Sequence, residues 1–152
     1  MARLLAWHYT IGALMPSIAA AGILKPATAG IPAHETPVVW FSTNQIYEPT
    51  ASKGLIGKDG SRRWATLQEM QEFGGGLYRL GIEPNRLLTG AALRLRARIN
   101  RAEWARLCAS AKEAHANPND WFGHIGPMPI DDLLIQFMDG NTWATVPAEA
   151  AA

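Results

Sequence analysis

The chain has 152 residues, of which 48% are apolar and 18% charged, with a formal net charge of +1. This composition allows one buried core, which we expect over residues 1–147, and it excludes a collagen, a coiled coil and a long disordered protein. No apolar run reaches the ~20 residues of a membrane-spanning helix, so we expect a soluble protein with no membrane partner. The single cysteine, Cys108, cannot form an internal disulfide, which favours a cytoplasmic location. The alanine-rich tail at 148–152 is expected to be disordered.

The N-terminal segment predicts a strand followed by a short helix. Residues 4–9 are apolar and aromatic, as is typical of a strand. Thr10 or Ser17 supplies an N-cap for the helix, and Gly22 occupies the position of a C-terminal cap ahead of Pro26. A secretory leader is the alternative interpretation, because the apolar stretch ends in small residues, but the polar residues inside it make a poor secretion signal.

The middle of the chain predicts a second strand, a long loop and a helix. Residues 37–42 are a β-branched and aromatic run that indicates a buried strand, and residues 43–64 read as a loop. Thr66 and Glu69 form a capping box for a helix that ends at the glycines 74–76. These glycines follow a helix rather than a strand, so they indicate a helix stop and not a phosphate-binding loop.

A basic segment follows a third predicted strand at 77–82. In the stretch "ALRLRARI", residues 92–99, apolar residues alternate with arginines, which predicts a strand with one arginine face. Asn100 and Glu103 then cap a helix that begins at Arg101 and ends near residue 115. Between residues 62 and 112, ten lysines and arginines stand against four acids. Such a positive stripe suits the phosphates of a dinucleotide or of nucleic acid, although arginines also keep a sheet edge soluble.

The C-terminal part predicts a β-hairpin. Residues 130–138 and 142–146 are strand-like and flank an Asp-Gly turn, the strongest local signal in the chain. With strands at 4–9, 38–42 and 77–82 at its centre, the order of elements predicts an α+β fold with a mainly antiparallel sheet and three short helices.

Two further features bear on chemistry. The histidines and Cys108 show no pair at metal-ligand spacing, so we expect no metal site. Trp121 falls in a segment that we expect to be a loop anchored to the core, whereas Trp64, beside two arginines, can stack on a base.

Three short motifs, "WHYT", "SIAAAGILKP" and "PVVWFST", resemble the opening of the ADP-ribosyltransferase superfamily. They are especially similar to the small DNA-targeting toxins and the RNA 2′-phosphotransferases of that superfamily, over roughly 45 residues. The resemblance implies an ADP-ribosyltransferase-like fold and NAD as substrate. It also implies that His8 binds the ribose next to nicotinamide, a task that suits a neutral imidazole, and that the nearby Thr10 belongs to the same cofactor site.

The second motif of the superfamily implies further contacts to the nucleotide. Ser42 and Thr43 match the first two residues of a Ser-Thr-Ser run, although the third residue here is Asn44. Tyr47, in the following loop, is placed like an aromatic residue that stacks on nicotinamide.

Phosphate ligands and a catalytic carboxylate complete the implied site. Arg79, Arg94 and Arg96 are candidates for the pyrophosphate, since a guanidinium fork matches two oxygens. The superfamily usually places a glutamate on a late strand, where it stabilises an oxocarbenium-like transition state. The late predicted strands here hold no glutamate, so Asp132 is the candidate polarising carboxylate, with Asp120 and Gln136 as the nearest alternatives.

The function expected from these features is NAD binding with transfer of ADP-ribose to a macromolecular acceptor. The alternative is a non-catalytic binding or inhibitor module that uses the arginine segment to hold nucleic acid or an acidic protein. An open pocket at His8 and Ser42 favours the first function, and a packed one favours the others.

Overall fold

The structure, a computed structural model, describes residues 4–147 of the chain. Within this range it is an α+β fold with antiparallel sheets, which confirms the predicted class, but it has four α-helices rather than the three predicted. The tail expected at 148–152 lies outside the described residues. The helices are α1 (Met15–Ala21), α2 (Leu67–Gly74), α3 (Gly90–Arg96) and α4 (Arg101–Glu113).

The strands form one large sheet and two small ribbons. They are β1 (Ala6–Ile11), β2 (Ile23–Leu24), β3 (Val38–Ser42), β4 (Gly54–Ile56), β5 (Arg62–Trp64), β6 (Leu77–Ile82), β7 (Leu88–Thr89), β8 (Trp121–Ile125), β9 (Met128–Pro129), β10 (Leu134–Asp139) and β11 (Thr142–Thr145). The large sheet has the order β11-β10-β6-β1-β3-β8-β7, while β2 pairs with β9 and β4 with β5. The three strands predicted at the centre, β1, β3 and β6, are confirmed there. The first of them was predicted at 4–9 but spans Ala6–Ile11.

The two faces of β1 bury different cores. His8 lies opposite Leu80 of β6, and Trp7 lies opposite Gly81, so the two side chains project from opposite faces of the sheet. On the His8 face, α1 and the β2–β9 ribbon cover an apolar cluster around Phe41 and Leu80. On the Trp7 face, α3 and α4 cover a second cluster around Val38.

The connection after β1 needs glycine because α2 approaches it closely. A Cβ on Gly12 would lie 2.1 Å from the carbonyl oxygen of Gly75. The Gly12 amide donates to the Gly76 carbonyl at 2.8 Å, and Gly75 caps α2 with a φ of 68°. The predicted capping box of Thr66 and Glu69 is present at the other end of α2.

The predicted arginine strand is wrong, because residues 90–96 form α3. Leu93 and Ala97, four residues apart, are both fully buried, whereas Leu95 is 63% exposed. Burial at a spacing of four is helical, and alanine, leucine and arginine are strong helix formers. Arg98 ends this turn with a φ of 59°, just before α4 begins.

Four smaller predictions are also wrong. The expected loop at 43–64 contains the β4–β5 hairpin, and the segment around Trp121 is strand β8 of the main sheet. The C-terminal hairpin is confirmed, but its first strand begins at Leu134 rather than at residue 130. Neither proposed N-cap begins α1. Thr10 lies inside β1, and Ser17 lies inside α1, where its hydroxyl donates to the Leu14 carbonyl instead of accepting from a backbone amide.

Candidate functional site

The main sheet is split between β1 and β3. A single pair, Trp7 opposite Ser42, joins these strands, whereas six pairs join β1 to β6. Beyond Trp7 the two strands separate, and β3 continues to pair with β8 on its other side. The sheet therefore opens beside His8 and Tyr9.

Two cavities of about 640 and 500 Å³ occupy this opening and meet at five residues that line both, His8, Tyr9, Ala27, Trp40 and Ala51. Together we call them the cleft. The lysine arm is the larger cavity, whose polar lining beyond the junction is Thr10, Ser17, Lys25 and Lys53. The tryptophan arm is the smaller cavity, whose lining beyond the junction includes Trp7, Ser42, Glu48, Thr50, Trp64, Ser110 and Trp121.

His8 stands at the junction in a defined protonation state. Its Nδ1 lies 2.8 Å from the Trp40 carbonyl oxygen. Since a carbonyl only accepts hydrogen bonds, Nδ1 carries the hydrogen and Nε2 of the neutral ring is an acceptor. Burial lowers the pKa of His8, and the bond to Trp40 opposes this shift without cancelling it. The half-buried ring is therefore neutral at pH 7 and has an acceptor nitrogen.

Glu48 is a buried carboxylate in the wall of the tryptophan arm. Its Oε1 accepts a hydrogen bond of 2.8 Å from the Ser42 hydroxyl, and its Oε2 accepts bonds from the amide and the hydroxyl of Thr50. Only 5% of Glu48 and 1% of Ser42 are exposed. These donors replace the water that an ionised carboxylate loses on burial.

The loop between Ser42 and Glu48 is folded by its own side chains. The Asn44 side chain accepts bonds from the amides of Ile46 and Tyr47, and the Ser42 hydroxyl accepts from the Asn44 amide. Asparagine and serine favour such turns because their side chains bond backbone groups two or three residues on. The turn returns Glu48 to the end of β3.

Two tyrosines support this loop. The Tyr9 hydroxyl donates to the Asn44 carbonyl at 3.3 Å, and its ring meets the ring of Tyr47 edge-on at 5.0 Å. Burial, as the largest cause, raises the pKa of Tyr9 to about 12, so it remains protonated. Tyr47, predicted to stack on nicotinamide, instead bonds Ser52 and lines neither cavity.

Arg79, predicted to bind pyrophosphate, lies outside the cleft lining. Its guanidinium carbon is 3.8 Å from the ring centre of Trp7 and 4.3 Å from that of Trp143. Nε donates to Gln136 at 2.8 Å and Nη1 to the Gln45 carbonyl at 2.7 Å. Arg79 is 5% exposed, and burial lowers its pKa. It therefore joins β6 to the hairpin and the loop after β3.

Of the remaining predicted site residues, some line the cleft and others do not. His8, Thr10 and Ser42 line the cleft, but the side chain of Thr43 contacts Asp120 and lines neither arm. Arg94 donates to the Ile99 carbonyl at the end of α3, and Arg96 is exposed there.

Asp132 is also outside the cleft. It forms a 3.5 Å ion pair with Arg86 and lines a separate cavity that shares no lining residue with either arm. The structure thus does not bring Asp132 near His8.

The sequence prediction missed three charged residues in the lining, Glu48, Lys25 and Lys53. The sequence offered one signal for Glu48. It lies six residues after Ser42 and directly before Pro49, and proline favours a turn that could bring the glutamate back towards the strand end. The two lysines carry no motif, because only the tertiary fold brings the ends of β2 and of the loop before β4 to the same cavity.

Comparisons with known proteins found no relative of this chain. No protein-family model matches the chain, and neither a curated protein nor a solved structure is significantly similar to it. The described residues hold no group of three or more histidine, cysteine, aspartate or glutamate side chains that could bind a metal ion. None of the helices within residues 4–147 is long and apolar enough to cross a membrane.

Proposed function

We propose that the chain has an ADP-ribosyltransferase-like fold and that its cleft binds NAD, from which ADP-ribose is transferred to a macromolecular acceptor. The observation that carries the proposal is the open cleft where β1 and β3 separate, with His8 at its centre and Ser42 in its wall. An open pocket at this place favours a nucleotide site, whereas packed side chains would favour an inhibitor or a non-catalytic binding module.

His8 binds the ribose next to nicotinamide. Its Nδ1 is fixed by the Trp40 carbonyl, so Nε2 accepts a hydrogen bond from a ribose hydroxyl. The lowered pKa keeps this acceptor free of a proton at neutral pH. A protonated ring would present a second donor instead and would lose the interaction.

Glu48, rather than Asp132, is the carboxylate that acts in the reaction. The bond between nicotinamide N1 and ribose C1′ breaks, and nicotinamide leaves with the electron pair. A nucleophilic oxygen or nitrogen of the acceptor bonds to C1′ and releases its proton to solvent. Positive charge develops at C1′ before that bond forms, and a buried carboxylate held by Ser42 and Thr50 stabilises it without reorganising.

Calorimetric titration with NAD and an assay of nicotinamide release test this function. Wild type is expected to bind NAD and release nicotinamide. Glu48→Gln preserves the shape and is expected to slow release by about 100-fold with little change in affinity. Glu72→Gln, on the exposed side of α2, is the matched control and should behave as wild type. Absence of NAD binding by a folded wild type would refute the proposal.

A second candidate function rests on exposed arginines at the junction of α3 and α4. Arg96, Arg98 and Arg101 form no ion pair or side-chain hydrogen bond with the described residues. Such free guanidinium groups fit the phosphates of a nucleic acid. Under this function, changing all three to alanine lowers both the affinity for a single-stranded oligonucleotide and its salt dependence, by about one unit of slope per lost contact. If the salt dependence of the affinity is unchanged, the arginines do not contact phosphates and only keep this surface soluble.

A further inference from the structure

The two arms of the cleft differ in charge and in chemistry, and this difference fixes the direction of a bound nucleotide. We infer that the nicotinamide ring occupies the tryptophan arm and the pyrophosphate lies in the lysine arm, bound by Lys25 and Lys53. The inference rests on the proposed NAD site and deepens it. Two lysines thus bind the phosphates, in place of the arginines that the family resemblance implied.

The lysine arm is positively charged. Lys25 and Lys53 are both exposed and form no ion pair with the residues that the structure describes. Among residues 4–147, no aspartate or glutamate lines this arm. The main chain of Lys53 is held, since its carbonyl accepts from the Ala65 amide at 2.8 Å, while its side chain forms no hydrogen bond or ion pair with the described residues. Lysine has a flexible stem and three donors, which suits it to phosphate oxygens.

The tryptophan arm is aromatic and has a negative charge. Glu48 is the one acidic residue that the described part of the chain contributes to its lining, and it disfavours phosphate there. Trp64, half-buried at the end of β5, lines this arm and makes no ring contact with another aromatic residue of the described chain. In the inferred complex the nicotinamide ring stacks on it. Trp121 is packed edge-on against Trp40, and its buried Nε1 has no hydrogen-bond partner among the described residues. A ligand carbonyl, such as a carboxamide oxygen, is the acceptor that this donor lacks.

The junction of the arms then takes the sugar between ring and phosphate. His8 lines both cavities, and Glu48 and Ser42 lie on the side of the tryptophan arm. In this direction the bond from ribose to nicotinamide faces the carboxylate, while the phosphates face the lysines. In the opposite direction the phosphates would lie beside Glu48, and the two lysines would face the positively charged nicotinamide ring.

A titration with fragments of NAD tests the direction. The probes are nicotinamide mononucleotide, which has the ring, ribose and phosphate, nicotinamide riboside, which lacks the phosphate, and ADP-ribose, which lacks the ring. The double variant Lys25→Met with Lys53→Met is expected to weaken the mononucleotide by about 10-fold and the riboside by less than about twofold, because only the mononucleotide has phosphate. The loss should shrink as salt is raised.

The tryptophan arm has its own variant. Trp64→Leu is expected to weaken the mononucleotide and the riboside by about the same factor, roughly 10-fold, and to leave ADP-ribose nearly unchanged, because stacking depends on the ring alone. Lys58→Met, in the turn between β4 and β5 and outside both arms, is the matched control and should not alter any affinity.

The outcomes separate the two proposals. If wild type binds the probes but the lysine variant weakens riboside and mononucleotide equally, or Trp64→Leu weakens ADP-ribose most, the direction is refuted and the NAD site stands. If a folded wild type binds neither NAD nor any probe, both proposals fail.

Discussion

Arg79 is expected to stabilise the fold rather than bind a phosphate, and Arg79→Met tests this. The variant keeps the apolar stem but removes the guanidinium from between the rings of Trp7 and Trp143. Each cation–π contact is worth about 0.5 to 2 kcal/mol, depending on its desolvation. The Gln45 carbonyl also loses the donor that lies 2.7 Å away, and an unpaired buried acceptor costs about 1 to 3 kcal/mol.

The net loss is smaller than the sum of these contributions. Methionine restores part of the contact with the rings, and the variant no longer buries a charge. We therefore expect the free energy of unfolding to fall by about 2 to 4 kcal/mol. For a chain of this size that corresponds to a decrease in Tm of about 6 to 12 °C.

Thermal melting and NAD titration on the same samples are the measurements. Below its melting transition, Arg79→Met is expected to bind NAD as wild type does, because Arg79 lines neither arm of the cleft. Arg62→Met is the control, since Arg62 is exposed on β5 and its side chain forms no hydrogen bond or ion pair with the described residues. A wild-type Tm combined with a 10-fold or greater loss of NAD affinity would show that Arg79 is a ligand-binding residue.

Two further predictions concern the strand pair β1 and β6. The pKa of His8 is lowered in the native state, so below its ordinary value of 6.5 the unfolded chain binds a proton that the native ring does not. Stability should therefore decrease as the pH falls below 6.5, and His8→Gln should remove that part of the slope in urea unfolding; an identical slope would contradict the buried neutral ring. Gly81→Ala would place a Cβ 2.5 Å from the Trp7 ring, and we expect a loss of about 1 to 3 kcal/mol in the same assay. Gly54→Ala, which meets open space, should cost much less, and equal losses would refute the steric reasoning.

Local patterns in the sequence predicted the elements whose signals are local. The capping box at Thr66 and Glu69 defines the start of α2, and the strand at 77–82 has the predicted bounds. The Asp-Gly turn identified the C-terminal hairpin. In each case the residues that determine the structure are close together in the chain, because caps and turns depend on neighbouring backbone groups.

The sequence misled where two periodicities compete. Residues 92–99 alternate as a strand does, but Leu93 and Ala97 also share one face of a helix. The helix forms because it lets both residues pack against the apolar cluster around Val38. Similarly, Trp121 lies in strand β8 because this segment pairs with β3, where Ser42 is opposite Trp121. No local signal in the sequence reveals this pairing.

The candidate site shows the same division. Short motifs named His8 and Ser42 as candidates, and both line the cleft because their strands, β1 and β3, are neighbours in the sheet. Glu48, Lys25 and Lys53 reach the cleft only through a loop that folds back on Ser42 and through a ribbon that covers the sheet. Conversely, Arg79 is removed from the site because two tryptophans from β1 and β11 enclose it. The sequence by itself determined which strands form the centre of the sheet, whereas the tertiary structure decided which charges line its cleft, because side chains distant in the chain meet only when the sheet assembles.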